Sequence, residues 1–302
     1  MLFRSQTDGR HAIVTFTDNW RSDAERRDLT INSLYADKDG TVYDYCNGIR
    51  DIAHKKIRFI GDVQTRIRED TLRIIRFWRF VVKTGWTYDE SVCDVFQNMA
   101  PKIRHLSRER IWDEMFKMLS YATDPTPVIH TMRHCGVMAR IVPFPISSDI
   151  SLMSPKVATS TDVYAKVIAL CGGNGDYVKT LGGIWMLSNA EKRLLQQTIS
   201  VFRDRAFVPP MVHRFLYYYG YDTVLRAGML KNQHLMDVIQ SYAPYEKPEF
   251  PVSGADLIKI GIPQGAKLGG MLKAIESWWV DQQCKPRQQE CLMMAMRLKN
   301  KR

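Results

Sequence analysis

The sequence predicts a mainly α-helical protein with a small α/β portion at its N-terminus. Three observations carry this. Alternating apolar residues with glycine turns are confined to about the first 60 positions, and from about residue 64 the apolar residues recur at helical spacing. Breaks rich in proline and serine at 143–160, and in proline at 241–251, then divide the helical remainder into consecutive segments.

The elements follow in order. His11 to Phe16 (HAIVTF) succeeds the turn signal Asp8-Gly9 and reads as a strand. Ile31 to Tyr35 is apolar but directly follows a charged cluster, which suits a short helix or an extended turn. Asp39-Gly40, between LYADK and TVYDY, is a hairpin signal and places a small β element near residues 33–45. Beyond residue 64, Leu72, Ile75 and Arg79 step along one side of a helix while Ile74, Phe77 and Val81 step along another. Ser107 with Arg110, followed by Ile111, Met115, Met118 and Leu119, opens a second amphipathic helix. Further helices are predicted at about 161–171, 178–186, 190–203, 211–219 and 221–229. After the second break, ADLIKIGIPQGAKLGGMLKAIESWWVD reads as helix, glycine-rich turn, helix.

A chain of 302 residues is long enough for two or more compact units. No run of about 18 apolar residues occurs, which excludes an apolar helical membrane span, and MLFRSQTDGR lacks the apolar stretch of a secretory signal. The expected compartment is therefore the cytoplasm. The net charge is +11, of which residues 1–120 carry +3 and residues 121–302 carry +8. A basic chain suits a polyanion, because Lys and Arg that neutralise phosphates release counterions. The six cysteines form no C-x-x-C pair, so they read as reduced thiols and a zinc ribbon is excluded.

Three polar clusters could carry chemistry. In Glu69-Asp70-Thr71-Leu72-Arg73, Asp70 and Arg73 would be neighbours on one helix face. An acceptor beside a planar donor can read a base edge: Asp accepts from the exocyclic amine of adenine or cytosine, and Arg donates to the adjacent ring nitrogen. Guanine and uracil present the opposite polarity, at a cost of about 1–3 kcal/mol per unpaired buried group. An ordinary surface ion pair is the competing reading. In Arg26-Arg27-Asp28 with Asn32, the guanidiniums suit triphosphate oxygens and the Asp and Asn suit ribose hydroxyls. A capped helix start fits those residues too. Asp44, Gly48 and Asp51 suggest a tight bend or hinge, or equally a plain turn.

Order and spacing together are more specific than any one cluster. RRDLTIN resembles the R-R-D-x-x-x-N motif of the class II CCA-adding tRNA nucleotidyltransferases and bacterial poly(A) polymerases. DYCNGIRDI resembles that family's D-x-x-x-G-x-x-D motif, IGDVQTRIREDTLRIIRFWRF its E-D-x-x-R motif, and LSRERIWDEMFKML its fifth motif. The match covers about 110 contiguous residues, with weaker similarity in FPVSGADLIKIGIPQGAKLGGMLKAIESWWVD. The resemblance implies a partial nucleotidyltransferase head at 1–60, a nucleotide-selecting helical neck at 61–142, a helical body at 161–240 and an RNA-binding helical tail at 250–302. It implies that Arg27, Asp28 and Asn32, with Arg76, bind the incoming nucleotide, and that Asp70 and Arg73 select CTP and ATP. Asp44 and Gly48 would form the hinge, and Glu109, Arg110, Glu114 and Lys117 would be structural. Leu29 stands where the family usually has an aromatic residue, which reads as a conservative core change.

The implied function is RNA 3′-end nucleotidyl transfer, most simply CCA addition to the tRNA 3′ end from CTP and ATP with Mg²⁺. Poly(A) synthesis and CC-only or A-only addition are the neighbouring possibilities. The family's glycine-rich G-G-x-V-R-D turn and D-x-D strand, whose carboxylates hold Mg²⁺, have no counterpart in residues 1–22. LFRSQTDGRHAIVTF resembles instead the strand and flexible segment just before the second motif. No metal ligands are therefore assigned, this chain alone is expected not to incorporate nucleotide, and a binding-only or split form is the alternative. Among smaller signals, His130, His134 and Cys135 have helical metal-ligand spacing but no fourth ligand. FLYYY (Phe215 to Tyr219) reads as helix core before base-stacking surface. Gly261 to Gly270, near Lys259, Lys267 and Lys273, could present backbone N–H groups to RNA phosphate.

Overall fold

The computed structural model describes residues 2–7, 12–17, 19–142, 144 and 153–300, and the chain divides into two compact units, Met1–Lys192 and Arg193–Arg302. The described residues are mainly helical, with three two-stranded sheets.

In the first unit, strands Leu2–Thr7 and Ala12–Thr17 pair antiparallel, with Leu2 opposite Thr17. The second of these is the strand expected at 11–16; the first was not expected. The turn signal Asp8-Gly9 lies outside the described residues. Asp39-Gly40 does form a hairpin: Leu34–Ala36 pairs with Val42–Asp44, and Gly40 takes the positive φ of 85° that the tight turn requires. Residues 31–35 resolve into a 3₁₀ turn, Thr30–Asn32, running into that hairpin.

One expectation fails locally. The helix across 66–80 is interrupted: Val63–Glu69 ends at Asp70, whose backbone is extended (φ −150°, ψ 107°), and Arg73–Thr84 begins afresh. The Asp70 carboxylate accepts from the Leu72 N–H at 3.0 Å, a local bond that competes with helix continuation. Asp70 and Arg73 therefore do not share a helix face.

The helix Arg73–Thr84 buries Ile74, Ile75, Phe77, Trp78, Val81 and Val82. Phe77 stacks on Phe59 at 5.2 Å and meets Phe96 edge-on at 5.3 Å, and Phe96 also packs on Trp78 at 5.5 Å. Such pairs are worth about 0.5–1.5 kcal/mol each beyond area burial. The helix Arg108–Leu119, capped by Ser107 accepting from the Arg110 N–H, lies against it as expected and buries Ile111, Met115, Met118 and Leu119. The helices Val163–Leu170 and Gly175–Ile184 belong to this unit too. Lys166, fully buried, donates to the Tyr121 carbonyl at 2.7 Å, and Trp185 stacks on Trp112 at 4.8 Å.

The second unit holds two adjacent apolar clusters, one around Phe215, Leu216 and Ile239, the other around Tyr217, Leu257, Ile275 and Trp279. Phe215 and Tyr217 of the FLYYY run are core residues, as the helix reading expected, while Tyr218 is 44% exposed. The helices Gln233–Gln240 and Gln288–Asn300 were not anticipated. Among the described residues no helix is long and apolar enough to cross a membrane. All six cysteines are free thiols.

Candidate nucleotide site

The segment Asp28–Thr30 is pinned from both sides. The Thr30 N–H donates to the Arg58 carbonyl at 3.1 Å and the Ile60 N–H to the Asp28 carbonyl at 3.1 Å, while Leu29 is fully buried in a bridge with Phe59. A leucine therefore fills this core position. Alternation along the segment turns Asp28 away from that core, and its carboxylate gathers Asn32 (3.0 Å), the Leu29 N–H (2.9 Å) and Arg76 (2.6 and 2.7 Å). Burial would raise the Asp28 pKa, but the Arg76 charge and these hydrogen bonds outweigh it and hold the carboxyl below its usual range. The Arg76 pKa is correspondingly raised: desolvation opposes its charge, and Asp28 and Glu114 more than compensate.

On the helix Arg73–Thr84, Arg73, Arg76 and Phe80 recur at i, i+3 and i+7 and face one cavity of about 560 Å³. The other walls are Arg26, Arg27, Asp28, Asn32, Asp70, Leu72 and Arg110, so the six residues expected to bind nucleotide all line it. Asp70 and Arg73 meet there by different means. Asp70 pairs with Arg110 at 2.8 Å, whereas Arg73 is anchored by Glu69 and by the carbonyls of Arg66 and Arg26, each at 2.9 Å. Arg110, expected only as structural, is a cavity wall.

Two supports stand behind these walls: Asp23, which was not assigned from sequence, and Glu114, which was expected to be structural. Asp23, fully buried, binds Arg26, Arg27 and the Tyr35 hydroxyl, and those hydrogen bonds overcome the upward pull of burial to leave its pKa low. Its i,i+3 and i,i+4 spacing to the two arginines was the signal available. Glu114 is 3% exposed and braces Arg79 at 2.5 Å and Arg76 at 3.3 Å. Of the other residues expected to be structural, Lys117 forms only an exposed pair with Asp113 and Glu109 is exposed.

Asp44 caps the helix Gly48–Ala53 by accepting from the N–H groups of Cys46, Gly48 and Ile49 at 2.9–3.1 Å. Gly48 lies against the turn that presents Asn32: a Cβ there would sit 2.4 Å from the Thr30 carbonyl oxygen. Asp51, buried, holds the Thr30 hydroxyl and Arg58 from below. The third cluster thus supports the second.

The residues of the cavity do not fit a Mg²⁺ ion. Asp28 and Asp70, its two carboxylates, are each committed to a guanidinium. Among the described residues no group of three or more His, Cys, Asp and Glu could hold a metal, and His130 and His134 are exposed beside a buried Cys135. In the second unit, Lys267 lines a separate cavity of about 560 Å³ with Pro263, Gly270 and Lys299 at the start of the helix Ala266–Asp281. Lys259 instead pairs with Asp256 at 3.7 Å.

Comparisons with known proteins bear on the family and the fold. Residues 2–58 match the family described as Poly A polymerase head domain, and residues 86–147 the family described as probable RNA and SrmB-binding site of polymerase A. The mitochondrial CCA tRNA nucleotidyltransferase 1 of Mus musculus is 33% identical over 293 residues, 90% of this chain, and the chain spans 66% of that relative's length. The CCA-adding enzyme of Lactobacillus johnsonii is 26% identical over 275 residues, covering 87% of this chain and 69% of that enzyme. Among solved structures, the Bacillus stearothermophilus CCA-adding enzyme in complex with CTP superposes with a TM-score of 0.79 at 23% identity, over 95% of this chain and 77% of that one. The Thermotoga maritima CCA-adding enzyme complexed with tRNA superposes with a TM-score of 0.67 at 17% identity, over 94% and 75%. With the motif residues gathered in one cavity, the chain belongs to the family of CCA-adding tRNA nucleotidyltransferases and poly(A) polymerases.

Proposed function

We propose that this protein works on RNA 3′ ends as a nucleotidyltransferase, adding CCA to tRNA from CTP and ATP. The observation that carries the reading is the convergence of Arg27, Asp28, Asn32, Asp70, Arg73 and Arg76 on one cavity. In this reading Arg27, 46% exposed, spends part of its donor capacity on Asp23 and offers the rest to phosphate oxygens. Asn32, oriented by Asp28, meets the ribose. Asp70 and Arg73 present an acceptor and a donor to the base edge, which favours cytosine and adenine. Residues 1–60 act as head, 61–142 as neck, 161–240 as body and 250–302 as RNA-binding tail, with Asp44 and Gly48 at the hinge. The proposed compartment is the cytoplasm, and fractionation against mitochondria tests that, since the Mus musculus relative is named mitochondrial.

Titration calorimetry with the four ribonucleoside triphosphates tests the reading. ATP and CTP should bind more tightly than GTP and UTP by about 5- to 150-fold, the equivalent of about 1–3 kcal/mol for an unpaired buried group. Arg73→Ala should erase most of that margin; discrimination left unchanged would sink the templating role. A second reading, binding without transfer by this chain alone, is favoured by the engagement of both Asp28 and Asp70 with arginines. Labelled CTP and ATP with tRNA lacking its CCA end separate the two, because Mg²⁺-dependent incorporation by this chain overturns the second. The tail pattern of products distinguishes CCA addition from poly(A), CC-only or A-only synthesis.

A further inference from the structure

The hairpin Leu34–Ala36/Val42–Asp44 carries its aromatic residues on one face. Antiparallel register sets Tyr35 opposite Tyr43, and strand alternation brings Tyr45 back to the same side. Trp20 meets Tyr35 edge-on at 4.9 Å, Tyr45 lies 6.4 Å from Tyr35, and the Arg21 guanidinium sits 5.3 Å over the Tyr45 ring. The rings wall a cavity of about 280 Å³. Trp20 and Tyr43 remain 45% and 43% exposed, while Phe77, Trp78 and Phe96 of the same unit are fully buried. Core packing accounts for the second set and not for the first, and clustered exposed rings mark interaction sites.

We propose that this aromatic cavity stacks a base of single-stranded RNA near its 3′ end, a subsite separate from the one that binds the incoming nucleotide. The inference rests on the nucleotidyltransferase reading above. Its size is at the lower end of ligand pockets, about 300 Å³ and upward, which suits one planar ring system. Arg21 adds a cationic plane of the kind that bases and phosphates both favour. A quaternary ammonium would be the other guest for such rings, but Arg21 repels it. The nearby acid, Asp37, is already engaged by the N–H groups of Asp39 and Thr41 (2.9 Å each) and the Tyr43 hydroxyl (3.1 Å). The cavity is also wired to the nucleotide site: the Tyr35 hydroxyl donates to Asp23, the carboxylate that holds Arg26 and Arg27.

The test uses the full chain and tRNA lacking its CCA end, with 2-aminopurine as its terminal base. Stacking should quench the fluorophore on binding. Tyr43→Ala and Trp20→Ala should remove the quench and weaken RNA binding about 5- to 150-fold, the range for one stacked base, and Tyr43→Ala, which leaves the Trp20–Tyr35 contact in place, should keep ATP and CTP affinities within about twofold. Tyr43→Phe, which keeps the ring and loses only the hydroxyl, should behave as the parent chain. Unquenched 2-aminopurine, or RNA affinity unchanged in both alanine variants, overturns the subsite and leaves the parent reading standing. Displacement of the base by choline or by millimolar mononucleotide also overturns it. Failure of the unmodified chain to bind RNA at all overturns the parent reading and this one with it.

Discussion

Truncating Glu114 to alanine removes the brace behind the cavity wall. Its carboxylate is 3% exposed and bonds Arg79 Nε at 2.5 Å and Arg76 Nη1 at 3.3 Å. The Arg79 side chain is 11% exposed, so the variant strands a nearly buried guanidinium. Breaking a buried pair by deleting one partner costs about 3–5 kcal/mol. Arg76 is one-third exposed and retains Asp28 as a partner, so its share is discounted and the total falls near about 3 kcal/mol. At roughly 2–4 °C per kcal/mol for units of this size, the first unit should melt about 6–12 °C lower. Glu114→Gln, which keeps the shape and one acceptor oxygen, should fall between parent and alanine. Lys117→Ala removes only an exposed pair and should stay within about 0.5 kcal/mol. Scanning calorimetry and urea titration of the four proteins give the comparison. A loss below about 1 kcal/mol for Glu114→Ala, or one equal to that of Lys117→Ala, would refute the bracing role.

Gly48→Ala should cost about 2–4 kcal/mol and weaken ATP binding severalfold, because the new Cβ must displace the Thr30 carbonyl and with it the turn carrying Asn32; wild-type ATP affinity in a calorimetric titration would contradict this. Lys166→Met should stabilise the protein at neutral pH, since burial depresses the Lys166 pKa from 10.5 to about 8 against a smaller opposing pull from Asp124. The folded state binds this proton less readily than the unfolded chain. The penalty is therefore fully present below about pH 8, is relieved as pH rises toward 10.5, and reaches at most about 3 kcal/mol. Melting temperatures of the two proteins should converge above pH 10. Asp28→Asn should destabilise at pH 7, because the Asp28 pKa is lowered on folding; that stability is present above the ordinary carboxyl value of 3.8 and is lost as pH falls through the lower folded pKa. Acid titration followed by circular dichroism should show the deficit vanishing at the acid end, and a deficit that persists there would count against the ionic origin.

Local signals were legible where one short stretch decides its own conformation. The Asp39-Gly40 hairpin formed because glycine alone supplies the positive φ without penalty. The amphipathic helix around Phe77 formed because its apolar spacing is helical, and the Ser107-capped helix because spacing and capping agree. The break at Asp70 was not legible. Of the residues around it Arg68, Glu69 and Leu72 are good helix formers, and the interruption depends on a side-chain bond to the Leu72 N–H and a distant partner, Arg110. The first strand of the N-terminal hairpin, Leu2–Thr7, also depended on pairing with a partner rather than on its own pattern.

The sequence by itself determined the residue types, the order of the motifs and the lineage, because those are properties of spacing along one chain. It also determined the broad apolar stripe of the helix that carries Ile74, Phe77 and Val81. Only the tertiary structure decided what those side chains are paired with. Asp28 meets Arg76 across 48 positions, Glu114 reaches Arg79 across 35, and Asp70 finds Arg110 across 40 instead of Arg73 across three. Such pairings are selected by the geometry of packed elements and by the cost of leaving a buried charge alone, and neither quantity is local.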